Sequence, residues 1–329
     1  MSAPRLDTSA ARALIEDAVT APSMHNAQPW HFVLRPEDRT IELHGDFDRA
    51  MPHTDPDLRA LHLGCAAALF NLRVAAAADG LETAVVLLPE RDRPLYLAEV
   101  TLRDTAAADR DLAALHPALR RRHTSRFPFT DEEIPPAVLD GLHAAALREG
   151  ARLVLPDAWH TEAVLDLVHD SEHREAQDPD AREETARWTQ TDTAADGPRD
   201  AGIPAYAFGP RQRGSRAPVR DFGSWRPVPG RESAVFEQRP RIALLGTRDD
   251  TPADWLRAGQ ALQRVLLQAT SDGLVASMTS QPLEWPELRW AVRDPVATMG
   301  HVHMVLRLGY GPQGPATPRR PAADVLEVR

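Results

Sequence analysis

The sequence predicts an α+β fold, a mixed sheet flanked by helices, in which two similar halves share one chain. Three observations carry this expectation. Helix-period and strand-period segments follow one another in both halves. At 329 residues the chain has the length of roughly two domains, or of one large fused unit. Finally, Ala68-Leu69, Ala76 and Asp79-Gly80-Leu81 recur as Ala261-Leu262, Ala269 and Asp272-Gly273-Leu274, so that 68 maps to 261 and 80 to 273 at a constant offset of 193. Two unrelated amphipathic helices, each closed by a glycine, would leave the same letters. A true repeat would make the chain an intramolecular pseudo-dimer.

The elements follow in order. Ala11, Leu14, Ile15, Ala18 and Val19 fall at helical spacing and predict a helix over Thr8 to Thr20, ended by Ala21-Pro22. A turn-rich segment leads to strands around His31 to Leu34 and Ile41 to His44. A helix is expected from about Leu58 to Asp79, stopped by Gly80, and then strands near Thr83 to Leu88 and Leu95 to Leu102. The second half opens with the cluster Arg120 to Arg126. Helices near Pro136 to Arg148 and His160 to Glu175 follow, with a strand at Arg152 to Leu155 between them. Periodicity fails between about Gln177 and Arg239, a polar stretch too long for a passive connection, which suggests a lid or binding loop. Order returns with a strand at Arg241 to Gly246, a helix from about Pro252 to Asp272 and a strand at His301 to Leu308.

Composition excludes several chemistries. All 38 basic residues are arginine. Without lysine there is no Walker phosphate loop, no pyridoxal Schiff base and no kinase-type nucleotide lysine. Anion recognition falls to arginine, which offers a planar fork of donors and a fixed charge. The net charge of −10 argues against a nucleic-acid partner, whose binding needs a basic face. The single cysteine, Cys65, allows no intrachain disulfide and reads as a buried thiol in a reducing, cytoplasmic setting. Met1 to Glu16 lacks the apolar stretch of a signal peptide, and no run of 18 uninterrupted apolar residues marks a membrane span.

Three pattern matches carry no chemistry. Gly309-Tyr310-Gly311-Pro312-Gln313-Gly314 has the letters of a dinucleotide loop, but only 15 residues remain after Gly314 and three of them are proline. A βαβ unit does not fit there. His169 and His173 share a helix face, yet no third zinc ligand stands out, so a solvated face is the simpler reading and no metal site is expected. His301 and His303 lie among core-strand neighbours and read as packed histidines.

Two constellations are more specific. In Pro22-Ser23-Met24-His25-Asn26-Ala27-Gln28-Pro29-Trp30, prolines fix a loop whose Ser23, Asn26 and Gln28 offer both donors and acceptors, as a flat heteroaromatic ring would need. Ordinary turn formation would also use these residues. In Arg122-His123-Thr124-Ser125-Arg126, an extended register puts Arg122, Thr124 and Arg126 on one face, able to grip a phosphate and a polyol.

These two segments resemble the flavin-binding signatures of the FMN-dependent nitroreductase superfamily. Two further pieces match: Gln281-Pro282-Leu283-Glu284 resembles the turn that approaches the flavin ring, and Thr317-Pro318-Arg319-Arg320-Pro321 the basic C-terminal segment that meets the FMN phosphate. The length and the order of the pieces are similar to the actinobacterial Acg-like branch, in which two nitroreductase-like halves are fused around a single flavin. The resemblance implies a nitroreductase-like fold, with a first half over 1–118 carrying the Pro-Ser-Asn loop. A second half over 119–329 would carry the phosphate arginines and a lid-like insertion at about 177–239.

By the same resemblance Arg122, Arg319 and Arg320 would neutralise the FMN phosphate and Thr124 would bond the ribityl chain or phosphate. Arg126 would sit at the pyrimidine edge, Ser23 and Asn26 at the ring, and the backbone amide of Glu284 would point at its hydride-accepting nitrogen. Met24 and His25 stand where small residues are common, and Trp285-Pro286 replaces the usual glycine after the glutamate. Two functions follow. One is an NAD(P)H-dependent oxidoreductase passing hydride through FMN to a nitroaromatic or quinone-like acceptor. The other is an FMN-holding or storage protein with little turnover. The expected partners are small molecules, with neither nucleic acid nor membrane, in a monomer or a homodimer of fused units.

Overall fold

The computed structural model describes residues 6–191, 200–214, 216–224, 228–297 and 299–329. Parts of two expectations, residues 1–5 of the N-terminal reading and 192–199, 215 and 225–227 of the insertion, lie outside the described residues.

The first sheet has five strands in the order β13-β1-β2-β4-β3. They are β1 (Trp30–Arg35), β2 (Thr40–Gly45), β3 (Leu81–Leu87), β4 (Tyr96–Asp104) and β13 (Leu326–Val328). All pair antiparallel except β13, which runs parallel to β1 with Phe32 opposite Leu326. The second sheet is antiparallel, in the order β11-β12-β10-β5. Its strands are β5 (Arg152–Val154), β10 (Ile242–Thr247), β11 (Val275–Thr279) and β12 (His301–Gly309).

Each sheet carries one long helix, and the two helices lie against each other: α2 (Arg59–Ala78) from the first half and α7 (Pro252–Ser271) from the second. Around them pack α1 (Thr8–Ala18), α3 (Arg110–Ala113) and α4 (Pro136–Arg148). Apolar side chains of α1, α2 and the first sheet form one core, and those of α4, α7 and the second sheet form another. The helix contact is close because Gly259 has no side chain: a Cβ there would meet the Leu63 carbonyl at 2.4 Å and the Ala66 Cβ at 2.6 Å. A polar seam crosses it, where Gln263 donates to Asn71 Oδ1 at 2.7 Å and Arg73 and Arg264 share Glu149.

The 193-residue echo maps onto these two helices. Each ends at an aspartate, Asp79 or Asp272, followed by a left-handed glycine and then a strand, β3 or β11. The starts differ. Thr251 and Asp254 cap α7 reciprocally, whereas α2 takes its cap from upstream, the Asp55 carboxylate accepting from the Ala60 and Leu61 amides at 2.9 Å. Burial pushes Asp55 up to about 6.

The structure refines two expectations. α2 is, among the described residues, the one helix long and apolar enough by length and composition to cross a bilayer, with a mean hydropathy of 1.4 over 18 residues. That apolarity serves the core, since 89% of the window is buried. The last residues of the expected second half cross back: α9 (Ala322–Val325) and β13 lie on the first sheet, so the tail belts the halves together.

Within 177–239 the structure is local and stitched down. α5 (Ala158–Gln177) leads through Asp178 into α6 (Pro179–Arg187), and the short ladders β6 (Thr189–Gln190) with β7 (Ile203–Pro204) and β8 (Arg211–Arg213) with β9 (Ser233–Val235) follow. Glu184 of α6 accepts from the Thr54 amide and hydroxyl, and His53 bonds Asp178 at 2.8 Å, so α6 is docked on the first half. Far along the segment, Glu237 accepts both Nε and Nη2 of the buried Arg307 of β12. The short α8 (Pro286–Ala291) follows the turn after β11.

Candidate functional site

The loop after α1 is held in an unusual conformation. His25, Asn26 and Gln28 all have positive φ, 48°, 56° and 55°, which costs non-glycine residues energy and persists only where surroundings impose it. Here side chains impose it. Ser23 Oγ accepts from the Gln28 amide at 2.9 Å, and Gln28 Nε2 donates to Asp200 O at 2.6 Å while its Oε1 accepts from the Arg320 amide at 2.8 Å. Asn26 Nδ2 donates to Gly202 O at 2.9 Å and Pro318 O at 3.0 Å, and its Oδ1 accepts from Arg319 at 2.9 Å. The loop is therefore clamped between the insertion and the C-terminal segment.

Opposite it runs Arg122 to Arg126, extended along the edge of β11. Thr124 bridges Ala276, and the Ser125 amide donates to Ala276 O at 2.9 Å. The loop and this segment wall two adjoining cavities that share Pro22, Arg126 and Ile203. The smaller adds Asn26, Arg122, Thr124 and Arg319. The larger adds Ser23, Met24 and His25, then Arg59 and Leu63 of α2, Ser277 of β11 and His303 of β12, with Arg220 and Phe222 of the insertion and Ser280 and Gln281 of the turn after β11.

The small cavity is electropositive and uncompensated. Among the described residues no carboxylate lies within ion-pair distance of Arg122, Arg126 or Arg319. Arg122 is buried; among the described residues its Nη2 reaches Thr20 O at 3.3 Å, and neither its Nε nor that of Arg319 has a partner. Burial, and then Arg319, pushes Arg122 down to about 9. Burial, and then Arg220, takes Arg126 to about 10, and burial takes Arg319 to about 10. His123, also in the wall, falls to about 4 through burial and these same arginines. Such charges are costly unless an anion joins them.

The large cavity has unsatisfied polar walls. His25 is 5% exposed, and among the described residues neither of its ring nitrogens is bonded and Ser277 Oγ, Gln281 Oε1 and His303 Nδ1 are buried without partners. His25 is held neutral by burial, Arg220 and Arg126. Phe222 presents its ring to all three: its centroid lies 5.4 Å from that of His25 in a T-shaped contact, 5.1 Å from Arg126 and 5.8 Å from Arg220. Behind the wall, Arg220 bonds Glu175 at 2.7 Å and Glu284 at 2.9 Å, Gln281 Nε2 donates to Glu175 at 3.1 Å and Ser280 Oγ donates to Glu284 at 2.8 Å.

Of the residues singled out in the sequence, the structure brings Pro22, Ser23, Met24, His25, Asn26, Arg122, Thr124, Arg126, Gln281 and Arg319 to the two cavities. Five do not line them, and their tasks differ from those expected. Arg320 turns away from the other arginines to Gln28 O, Asp324 O and Asp46, so it holds the loop and does not face the anion cavity. Gln28 is wholly committed to that clamp. Pro282 and Leu283 are packed beneath the turn, Leu283 O accepting from Arg59 at 2.9 Å. The Glu284 amide, expected to point at a ring, closes its own turn onto Gln281 O at 3.2 Å, and the carboxylate faces Arg220. Asn26 lines the cavity, but its amide atoms are all bonded within the protein.

Sequence reasoning missed Arg59, Arg220, Phe222, Ser277 and Ser280. Arg59 opens a mostly apolar helix, a signal available in the letters; Arg220 and Phe222 sit in an aperiodic segment that offers none. His303 was read only as a packed residue. It is buried, with Nε2 2.6 Å from Thr247 Oγ1, while His301 is exposed. His169 and His173 stack edge-to-face on an exposed surface, with ring centroids 4.4 Å apart.

Residues 119–310 match the Nitroreductase family. A Mycobacterium tuberculosis protein named "Putative NAD(P)H nitroreductase Rv3131" is 33% identical over 98% of this chain and 92% of its own length. Another protein of that organism, named in the same way with the designation acg, is 29% identical over 98% of this chain and 96% of its own. Among solved structures, the FMN and NADPH-dependent nitroreductase NfnB of a Sphigopyxis strain is 17% identical, covering 65% of this chain and 98% of its own at a TM-score of 0.40.

Proposed function

The chain belongs to the nitroreductase family, and from that premise we propose that it holds FMN between its two halves and uses it to carry hydride from NAD(P)H to a small nitroaromatic or quinone-like acceptor. Bound FMN supplies reversible two-electron exchange in the form of hydride.

The observation that carries this reading is the convergence of Arg122, Arg126 and Arg319 on one cavity with no carboxylate among the described residues to balance them. A phosphate dianion would offset two of these three positive charges, and its oxygens suit the planar donor forks of the guanidinium groups. The free Nε of Arg122 and of Arg319 await acceptors, and Thr124 adds a hydroxyl beside them. The adjoining cavity suits a planar ring with both donors and acceptors, since Ser277, Gln281, His25 and His303 present unpaired atoms of both kinds. Arg126 lies at the junction, where a fixed positive charge favours the anionic reduced ring. Met24 and the aliphatic side chains of Leu63 and Ile203 supply an apolar, water-poor wall.

The second reading, an FMN-holding protein with little turnover, is favoured by Phe222. Its ring stands among Arg126, Arg220 and His25 in the cavity wall, and on this reading it keeps a nicotinamide or acceptor out. A visible spectrum of the purified protein, followed by NADPH and then dithionite without oxygen, tests both. The reductase reading expects a yellow protein bleached by NADPH. Bleaching by dithionite alone favours storage, and a colourless protein that takes up no added FMN contradicts both.

A further inference from the structure

Hydride addition to a carbonyl acceptor such as a quinone leaves an oxygen anion that needs one proton. Between walls of buried side chains, that proton has to come from the wall. His25 cannot supply it near neutral pH, being held in the neutral form by burial, Arg220 and Arg126; His303 is held likewise by burial and Arg59. The arginines are fixed charges. What remains is a hydroxyl with a carboxyl behind it.

We propose that Ser280 and Glu284 are the proton-delivery pair of the large cavity, Ser280 Oγ giving its proton to the reduced acceptor and Glu284 replacing it. This rests on the reductase reading above.

Ser280 follows the last residue of β11 and starts the turn over Gln281–Leu283; it lines the cavity, and its hydroxyl donates to the carboxylate four residues on, 2.8 Å from Glu284 Oε1. Glu284 is 7% exposed and is faced from three elements. Arg220 of the insertion bonds it at 2.9 Å, Glu175 of α5 lies across the same guanidinium, and Arg59 of α2 bonds the backbone of the turn at Leu283. Two carboxylates share the guanidinium of Arg220, so this group of three carries one negative charge in excess and has a place for one proton. Glu175 stays ionised: burial opposes this, but Arg220, Gln281 and Thr185 all bond the carboxylate and hold it below the ordinary range. Glu284 is raised, by burial first and by Glu175 against the pull of Arg220, so of the two carboxylates it is the one placed to take a proton.

The step balances. With Glu284 protonated, its O–H donates to Ser280 Oγ and the serine proton is free to face the cavity. The quinone gains hydride, two electrons and one hydrogen, at one oxygen from the reduced flavin, which leaves its other oxygen as the anion. That oxygen takes the serine proton, and serine takes the proton of Glu284. The products are a hydroquinone and a Glu284 carboxylate, which Arg220 neutralises. Reloading comes from the neighbouring surface cleft, which shares Arg220 and Gln281 with the cavity and carries Glu172, pushed up to about 7 by burial and by Glu175.

The test has two parts. Infrared titration of the apoprotein should show a carboxyl that stays protonated above the ordinary glutamate range, lost in Glu284→Gln and shifted in band position in Ser280→Ala. In stopped flow, Ser280→Ala should slow reoxidation of reduced protein by a quinone about 100-fold, as removal of a general acid does. It should also remove the dependence on protonated Glu284 from the pH profile. FMN retention and the rate of reduction by NADPH, measured in the same variant, separate loss of proton delivery from loss of flavin, and Ser280→Thr should restore the rate of reoxidation. Ser280→Ala with the wild-type rate and pH profile, or a Glu284 with no raised titration, would overturn the pair. A protein that binds no FMN fails the earlier reading instead, and the infrared titration then decides the pair by itself.

Discussion

Arg319 donates from Nη1 to Asn26 Oδ1 at 2.9 Å, joining residues 293 positions apart and bringing the C-terminal segment onto the loop after the first helix. The same asparagine holds Gly202 of the insertion. One side chain therefore ties together three segments that meet at the proposed phosphate site. Asn26→Ala should loosen all three, and the check is FMN dissociation together with protease sensitivity of the insertion. Both should rise; a change in only one would separate the clamp from the site.

Arg122→Ala should weaken FMN binding by the worth of a charge-assisted contact, about 1.5–3 kcal/mol, or roughly ten- to a hundredfold in Kd. Its Nε has no partner among the described residues, so removal leaves little behind to repair. Fluorescence titration with FMN measures it.

Phe222→Ala should open the ring cavity from the insertion side. The ring contacts with Arg126 and Arg220 are each worth about 0.5–1 kcal/mol, so their loss should speed reduction by NADPH by about fivefold or more if access limits it. Anaerobic stopped flow reads the rate, and an unchanged rate would mean that Phe222 does not gate the donor.

Docking of α6 should depend on pH through His53. The bond to Asp178 raises its pKa, so the contact contributes fully below the ordinary value of about 6.5 and is lost as pH rises through the higher, folded value. Hydrogen exchange of residues 178–187 should be slower at pH 6 than at pH 8, after correction for the intrinsic rate. His53→Ala should abolish that difference.

Gly259→Ala tests the helix contact. Its Cβ would fall 2.4 Å from the Leu63 carbonyl, so one helix must shift, at a cost of about 1–3 kcal/mol. A lowered Tm with unchanged secondary structure is the expected result.

Much of the architecture was legible in the letters because period and punctuation agreed. The helix over Pro136 to Arg148 is found as expected, and α2 and α7 begin and end within a residue or two of their predicted limits. The 275–279 strand was not legible: its five residues mix serine, threonine and alanine, and it is defined by pairing with β12. Nor was β13, which exists only because β1 offers it an edge. At the site, the loop and the arginines were readable as chemistry at fixed spacing. The division of labour between Arg319 and Arg320 was not, because adjacent residues face opposite ways and only the fold decides which faces the cavity. Arg220 and Phe222 were invisible for another reason: they reach the site through long-range ion pairs and ring contacts that leave no local pattern.

In the proposed function one flavin mononucleotide is held through its phosphate by the arginines of the second half, beneath the loop of the first. Titration of the apoprotein with FMN and with riboflavin, for wild type and for Arg122→Ala/Arg319→Ala, tests it most directly. The expected result is one FMN per chain, much weaker binding of riboflavin, and loss of that preference in the double variant. Equal affinity for the two flavins in the wild-type protein, or a preference for FMN that survives removal of both arginines, would contradict it.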